Sequence, residues 1–120
     1  MIWFGGDYNP AQWPADTWHE DVQLMKRASV TLVTVGVFDW SRMQPAPDRF
    51  DFGWLDQVLD LLGAAGVGVC LATPTASPPP WLDVAPTTAD GVRLSHGSRD
   101  TYCLSAPAYR DAARRIARAL

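Results

Sequence analysis

The chain has 120 residues, of which 48% are hydrophobic, and a formal net charge of −3, values that suit one globular domain of modest size. Neither a basic face nor a basic run is present, which argues against nucleic acid as a partner, and no apolar run approaches the roughly 20 residues of a transmembrane helix. The first ten residues lack the features of a signal peptide, so we expect a cytoplasmic protein without a membrane partner.

Three apolar segments predict strands, and three amphipathic segments predict helices that follow them. Strands are expected at 2–6, 31–38 and 67–72, the last of them buried on both faces. The first helix is expected to carry Pro14 in its first turn, and the third is expected to start near Pro107. The second helix is indicated by an apolar face with helical spacing, formed by Leu55, Val58, Leu59 and Leu62.

The βαβαβα order, with a strand starting about every 30–35 residues, predicts a parallel sheet. An open doubly wound sheet and the first part of a (β/α)8 barrel both fit this order. The barrel is favoured because the third helical pattern has no terminator and because no glycine-rich phosphate loop follows the first strand. We therefore predict the N-terminal three βα units of a (β/α)8 TIM barrel, incomplete because such a barrel needs about 250 residues.

Polar and aromatic side chains are expected directly after each strand, on the face where barrel enzymes place their chemistry. They are Asp7, Tyr8 and Asn9 after the first strand, Asp39 and Trp40 after the second, and Trp81 at the end of the proline-rich loop after the third. Tryptophan rings beside short polar side chains suit a sugar, because a ring packs on the C–H face of a pyranose. Packing under the loops is the alternative for each ring.

Other tryptophans are more typical of a core, and we assign Trp3, Trp18 and Trp54 to it. Glycoside hydrolysis needs two carboxylates, yet the single glutamate, Glu20, is expected on the outer face of the first helix. Asp7 and the aspartate after the second strand form a conceivable pair, although such acids more often orient an arginine or cap a loop. The residues therefore indicate part of a sugar site that lacks its catalytic acids.

A polar loop before the third helix contains Arg99, whose planar guanidinium suits substrate hydroxyls or a carboxylate. A surface salt bridge with Asp100 or Asp111 is the alternative. Cys103 follows in the same loop and cannot hold a metal alone, since zinc takes four ligands. Cys70 lies in the third predicted strand, where an inert core thiol is expected.

Four separated stretches resemble the N-terminal part of the glycoside hydrolase family 42 β-galactosidases. They are FGGDYNP with QWP at 4–14, DFGWLD at 51–56, TASPPPWL at 75–82, and GSR with YC at 97–103. The resemblance covers essentially the whole chain and implies that residues 1–120 are part of a catalytic (β/α)8 domain. It also implies retaining hydrolysis of terminal non-reducing β-D-galactose residues by two glutamates on later strands. Neither glutamate is in this sequence, so the chain alone is expected to be inactive.

The resemblance further implies roles for particular residues. Arg99 matches the family's substrate-binding arginine, and we expect the residues after the strands to bind a small β-galactoside with it. These are Asp7, Tyr8, Asn9, Trp40 and Trp81. Cys103 matches the first of four cysteines that hold a structural zinc in some members, whereas catalysis requires no cofactor. A homotrimeric full-length protein is also expected.

Two other classes of protein remain open at this point. One is a stand-alone, non-catalytic sugar-binding domain that uses Trp13, Trp40, Trp81 and Arg99. The other is a small flavodoxin-like regulator with an acidic pocket, which leaves the proline loop unexplained.

Overall fold

The computed structural model describes residues 2–87, 89–93 and 102–120. A three-stranded parallel sheet is combined with four α-helices and one 3₁₀ turn in these residues. The elements are β1 (Gly5–Tyr8), the 3₁₀ turn (Pro10–Gln12), α1 (Ala15–Arg27), β2 (Leu32–Val35), α2 (Trp40–Met43), α3 (Gly53–Ala64), β3 (Gly68–Leu71) and α4 (Pro107–Ala119). Within the described ranges, no helix is long and apolar enough to cross a membrane.

The sheet has the order β1-β2-β3, with both pairs parallel, as the βαβαβ pattern predicts. Val33 and Val35 of β2 are buried on the face that packs against the helices. Tyr8 shares this face, because it pairs with Val35 in the register and its hydroxyl reaches α1. The helices therefore cover one side of the sheet.

The helical apolar face of α3 lies where the spacing predicts it. Leu55, Val58 and Leu62 are buried, and Leu59 packs at the edge of the core. A hydrophobic side chain every three or four residues turns one stripe of a helix toward the sheet. The predicted second helix is therefore confirmed at its buried positions.

The first strand differs from its prediction, because it begins and ends later in the chain. Residues 2–4 lie outside the sheet, and Trp3 is 59% exposed, so its assignment to the core is wrong. Pairing begins where the Thr31 hydroxyl accepts a hydrogen bond from the backbone N–H of Phe4, at 2.8 Å. Gly5 then lets the two backbones approach, since a Cβ at this position would collide with the carbonyl oxygen of Leu32.

The third strand is not buried on both faces, contrary to its prediction. Its burial decreases along the strand, and Leu71 at its end is 39% exposed. Cys70 is exposed beside Thr34 and Asp7, in a row on the face opposite the helices. An apolar run specifies a strand, but it does not specify what packs on each side. The described residues place no second layer on this face.

We expect the Cys70 thiol to react readily in the folded chain. With Cys103→Ser as background, a chromogenic disulfide reagent should label Cys70 within about tenfold of the rate in urea, because no packed layer must open first. The absorbance of the reagent measures the rate of labelling. As a control, the additional change Cys70→Ser should remove the signal. Labelling many orders of magnitude slower than in urea would contradict an open face.

Candidate functional site

We call the segment 36–47 after β2, together with the proline-rich loop 73–81 after β3, the aromatic wall of the candidate site. A sharp turn at the carboxyl end of β2 begins this wall. Gly36 has φ 94°, a conformation that glycine adopts without steric cost. A Cβ there would lie 2.8 Å from the terminal methyl of Met43, so the turn also needs the missing side chain for space. The chain then enters α2, a helix of four residues that the sequence pattern did not predict.

Two tryptophans meet at one glutamine beside α2. The Trp40 indole N–H donates to Oε1 of Gln44 at 2.9 Å, and the Trp81 indole N–H donates to the backbone carbonyl of Gln44, also at 2.9 Å. The Gln44 side-chain amide donates in turn to the carbonyl of Pro47 at 3.0 Å. We call Trp40, Gln44, Pro47 and Trp81 the Gln44 network. It joins the segment after β2 to the loop after β3.

The loop after β3 is held by buried prolines. Pro74 and Pro79 are fully buried, and each carbonyl accepts a backbone hydrogen bond from three residues further on, from Ser77 and Leu82 respectively. Fixed proline φ angles together with these turns give the loop one shape. Trp81 is half-buried at its end, so part of its ring remains open to solvent.

Tyr109 of α4 binds the loop after β3 through a hydrogen bond. Its hydroxyl donates to the carbonyl of Thr75 at 2.8 Å, and burial raises the pKa of Tyr109. Its ring stacks on Tyr102 at 5.1 Å between centroids and meets Trp40 edge-on at 6.2 Å. Trp40 itself is fully buried, so its ring faces are occupied by protein contacts.

Asp39 is the residue of this region with the least satisfied side chain. It is 6% exposed, and within the described part of the chain its Oδ2 has no hydrogen-bond partner. Burial raises the pKa of Asp39, and the nearby Arg42 guanidinium opposes this more weakly. Arg42 is engaged elsewhere, since it donates to the carbonyl of Ala11 at 2.8 Å and lies 4.5 Å from the ring centroid of Trp54.

The residues expected after β1 divide between two faces. Asp7 and Tyr8 lie inside β1 and not after it, so that part of the prediction is wrong. Asp7 is exposed on the open face, whereas the Tyr8 hydroxyl donates to Oδ2 of Asp21 on α1 at 3.0 Å. Burial and the Asp21 carboxylate raise the pKa of Tyr8. Asn9 follows the strand and is half-buried.

A groove of about 460 Å³ runs along the free edge of β1 and contains Asp7, Asn9 and Trp13 in its lining. Trp13 is 56% exposed there. A second groove of about 400 Å³ lies between α1 and α3, beside His19 and Asp60. The structure therefore does not bring the two edges of the sheet into one closed pocket.

The remaining predicted site residues, Arg99 and Cys103, precede α4 in the sequence. Arg99 lies outside the described residues. Cys103 is half-buried, and its backbone N–H donates to the carbonyl of Val84 at 2.9 Å. The described ranges contain no group of three metal-binding side chains, so zinc ligation by Cys103 stays a prediction.

The glycoside hydrolase 42 family model, described as "Beta-galactosidase", matches residues 7–120. The chain belongs to glycoside hydrolase family 42. A β-galactosidase from Arthrobacter sp. is 49% identical over an alignment of 124 residues with its gaps, and this alignment covers 99% of this chain and 18% of the relative. The family resemblance of the four motifs is thereby confirmed.

Solved structures of the same family support the fold. Gan42B, a family 42 β-galactosidase from G. stearothermophilus, matches with a TM-score of 0.92 and 39% identity over 98% of this chain. A β-galactosidase from Halorubrum lacusprofundi matches with a TM-score of 0.88 and 38% identity over 96%. The chain spans about 18% of each of these structures. The predicted βα units of a TIM barrel are confirmed.

The sequence analysis gave no role to Gln44 or Tyr109, although both hold the aromatic wall of this family 42 chain together. A signal for Gln44 was available, since it stands four residues after Trp40, and such pairs are neighbours on a helix. No comparable local signal exists for Tyr109, whose partner Thr75 is 34 positions away.

Proposed function

We propose that this chain forms the first three βα units of the catalytic barrel of a retaining β-galactosidase. The whole protein would hydrolyse terminal non-reducing β-D-galactose residues in small β-galactosides. The observation that carries this proposal is the family match over residues 7–120, with a relative named β-galactosidase at 49% identity. The geometry supports it through the stiff aromatic wall at the carboxyl ends of β2 and β3.

The wall is suited to shaping a sugar pocket. Trp81 offers a half-exposed ring on a loop that two buried prolines hold, and we propose that it contacts substrate together with Arg99. Asp7 and Asn9 supply hydroxyl-binding groups at the neighbouring strand end. Tyr8 and Trp40 are both buried, so neither ring is open to a sugar: Trp40 supports the wall through Gln44, and Tyr8 ties β1 to α1.

The proton transfers of the reaction belong to carboxylates outside this chain. Retention requires two carboxyl groups about 5–5.5 Å apart across the scissile bond. The only glutamate, Glu20, is exposed on α1, on the helix side of the sheet. Asp7 and Asp39 differ in setting, one exposed and the other buried beside Arg42. The chain therefore contributes binding and orientation.

Three further properties are proposed on the family resemblance alone. They are a cytoplasmic location, a homotrimeric assembly of the whole protein, and a structural zinc with Cys103 among its ligands. The zinc would need ligands beyond the described residues, since these supply no suitable group of three. No step of the reaction depends on it.

A chimera tests the proposed function directly. This chain replaces the matching segment of the Arthrobacter β-galactosidase, which is 18% of that protein. The chimera is expected to hydrolyse a chromogenic β-galactoside, and the 120-residue chain alone is expected to show no turnover. A folded chimera that is inactive, or turnover by the chain alone, would overturn the proposal. Calorimetric binding of galactose by the inactive chain alone would instead favour a separate sugar-binding domain.

A further inference from the structure

Gln44 is fully buried and supplies partners to both halves of the wall. Its Oε1 accepts from Trp40, and its backbone carbonyl accepts from Trp81. Its amide nitrogen donates to the carbonyl of Pro47, within the same turn. Loss of this side chain would leave the buried Trp40 indole N–H and the Pro47 carbonyl without their partners, whereas Trp81 would keep a backbone carbonyl whose place depends on the same turn.

The chemistry of these contacts fixes the orientation of the amide. An indole N–H only donates, so the partner of Trp40 must be an acceptor, which is Oε1. The carbonyl of Pro47 only accepts, so the other side-chain atom must be a donor, which is Nε2. A carboxylate has two acceptors and no donor. A glutamate at this position could therefore make both contacts only in its protonated form.

We propose that Gln44 is a positioning residue: its neutral side chain holds Trp40 and the turn whose backbone carbonyl binds Trp81, and it adds no titrating group beside the buried Asp39. The proposal rests on the proposed function only where it concerns substrate. The neutral amide provides one donor and one acceptor at every pH at which the protein is folded. The two rings consequently keep their separation while catalytic groups elsewhere in the barrel change protonation.

The change Gln44→Glu tests this, with the indole N–H signals of the ¹⁵N-labelled chain as the readout. The sequence has six tryptophans, so six signals are expected. Burial and the Pro47 carbonyl should raise the pKa of the new carboxyl group. The Trp40 signal should then move as the pH rises through that pKa, beyond any movement that Asp39 causes in the parent chain, and the Trp81 signal should follow through displacement of the backbone carbonyl at position 44. Those of exposed Trp3 and Trp13 should stay in place.

The control variant is Gln23→Glu, which adds the same charge at an exposed position of α1. It should leave the pH dependence of all six signals as it is in the parent chain. A Trp40 signal in Gln44→Glu with the pH dependence of the parent chain, or the same added movement in the control, would overturn the proposal. If Gln44→Glu does not fold, Gln44→Met decides through the same signals. This variant should shift the Trp40 signal at every pH and, through the displaced backbone carbonyl, the Trp81 signal as well; either signal unshifted would overturn the proposal.

Kinetics of the chimera test whether the Gln44 network affects substrate binding. Gln44→Glu should match the parent kcat/KM at low pH and fall by about tenfold or more above the glutamate pKa, mainly through KM. Gln44→Met should raise KM equally at all pH values. A chimera that is inactive while the indole signals move as expected overturns the proposed function and leaves the positioning role standing. An active chimera in which neither change alters KM overturns the role in binding.

Discussion

Replacing Trp40 by alanine is expected to lower the free energy of unfolding by about 3–5 kcal/mol. The ring is fully buried, contacts Tyr109 edge-on and donates to Gln44. Its removal leaves a cavity and also an acceptor without its donor, and the two costs add. Total stabilities of domains this size are commonly about 5–15 kcal/mol, so the substitution should remove a substantial share of the stability.

Urea unfolding of the 120-residue chain, followed by far-ultraviolet circular dichroism, measures this effect. The matched control is Trp13→Ala, because that ring is exposed and its loss should change stability by no more than about 0.5 kcal/mol. Trp40→Phe should fall between the two, since it keeps most of the ring volume. Equal midpoints for Trp40→Ala and Trp13→Ala would show that Trp40 does not hold this region together.

Asp39→Ala is expected to stabilise the chain at neutral pH by about 1–3 kcal/mol, the usual cost of a buried polar group without a partner. The wild-type Oδ2 is buried and unpartnered among the described residues, and burial raises the pKa of Asp39 in the folded state. The folded state therefore binds this proton more tightly than the unfolded state. Wild-type stability falls as pH rises from the ordinary aspartate pKa through the raised one.

Because the pKa of Asp39 is raised in the folded state, the effect of Asp39→Ala on stability depends on pH. The gain from Asp39→Ala should be small below the ordinary aspartate pKa and should grow as the pH rises through the raised pKa of Asp39. Urea midpoints at a series of pH values measure it. Asp60→Ala, on the exposed face of α3, is the control for the loss of a carboxylate. A destabilised Asp39→Ala chain at pH 8 would mean that the carboxylate has a partner in solution.

Elements with enough residues to show a period were predictable from the sequence. The twelve residues of α3 place Leu55, Val58 and Leu62 on one stripe, and the structure buries all three. The four residues of α2 span barely one turn, too few for a period, and the prolines that follow indicated a loop. Asp7 was expected in a loop because the apolar run before it ends in two glycines, yet pairing with Thr34 draws it into β1.

The candidate site was only partly predictable. Strand order placed Trp81 at the correct edge of the sheet, since carboxyl ends of parallel strands meet there. Burial was not predictable for Cys70 or Trp40, because it depends on what packs over each side chain. Gln44 was missed for the same reason, as its role exists only once a second loop supplies Trp81 as a partner.

The hydrogen bond between Tyr109 and Thr75 bears on the order in which the protein folds during synthesis. The strands lie in the sheet in the order in which the ribosome makes them, so each can join an edge that has already emerged. The loop after β3 differs, because its fastening hydroxyl is synthesised 34 residues after the carbonyl that it binds. The sheet can therefore form on the nascent chain while this loop stays unfastened, until α4 leaves the exit tunnel.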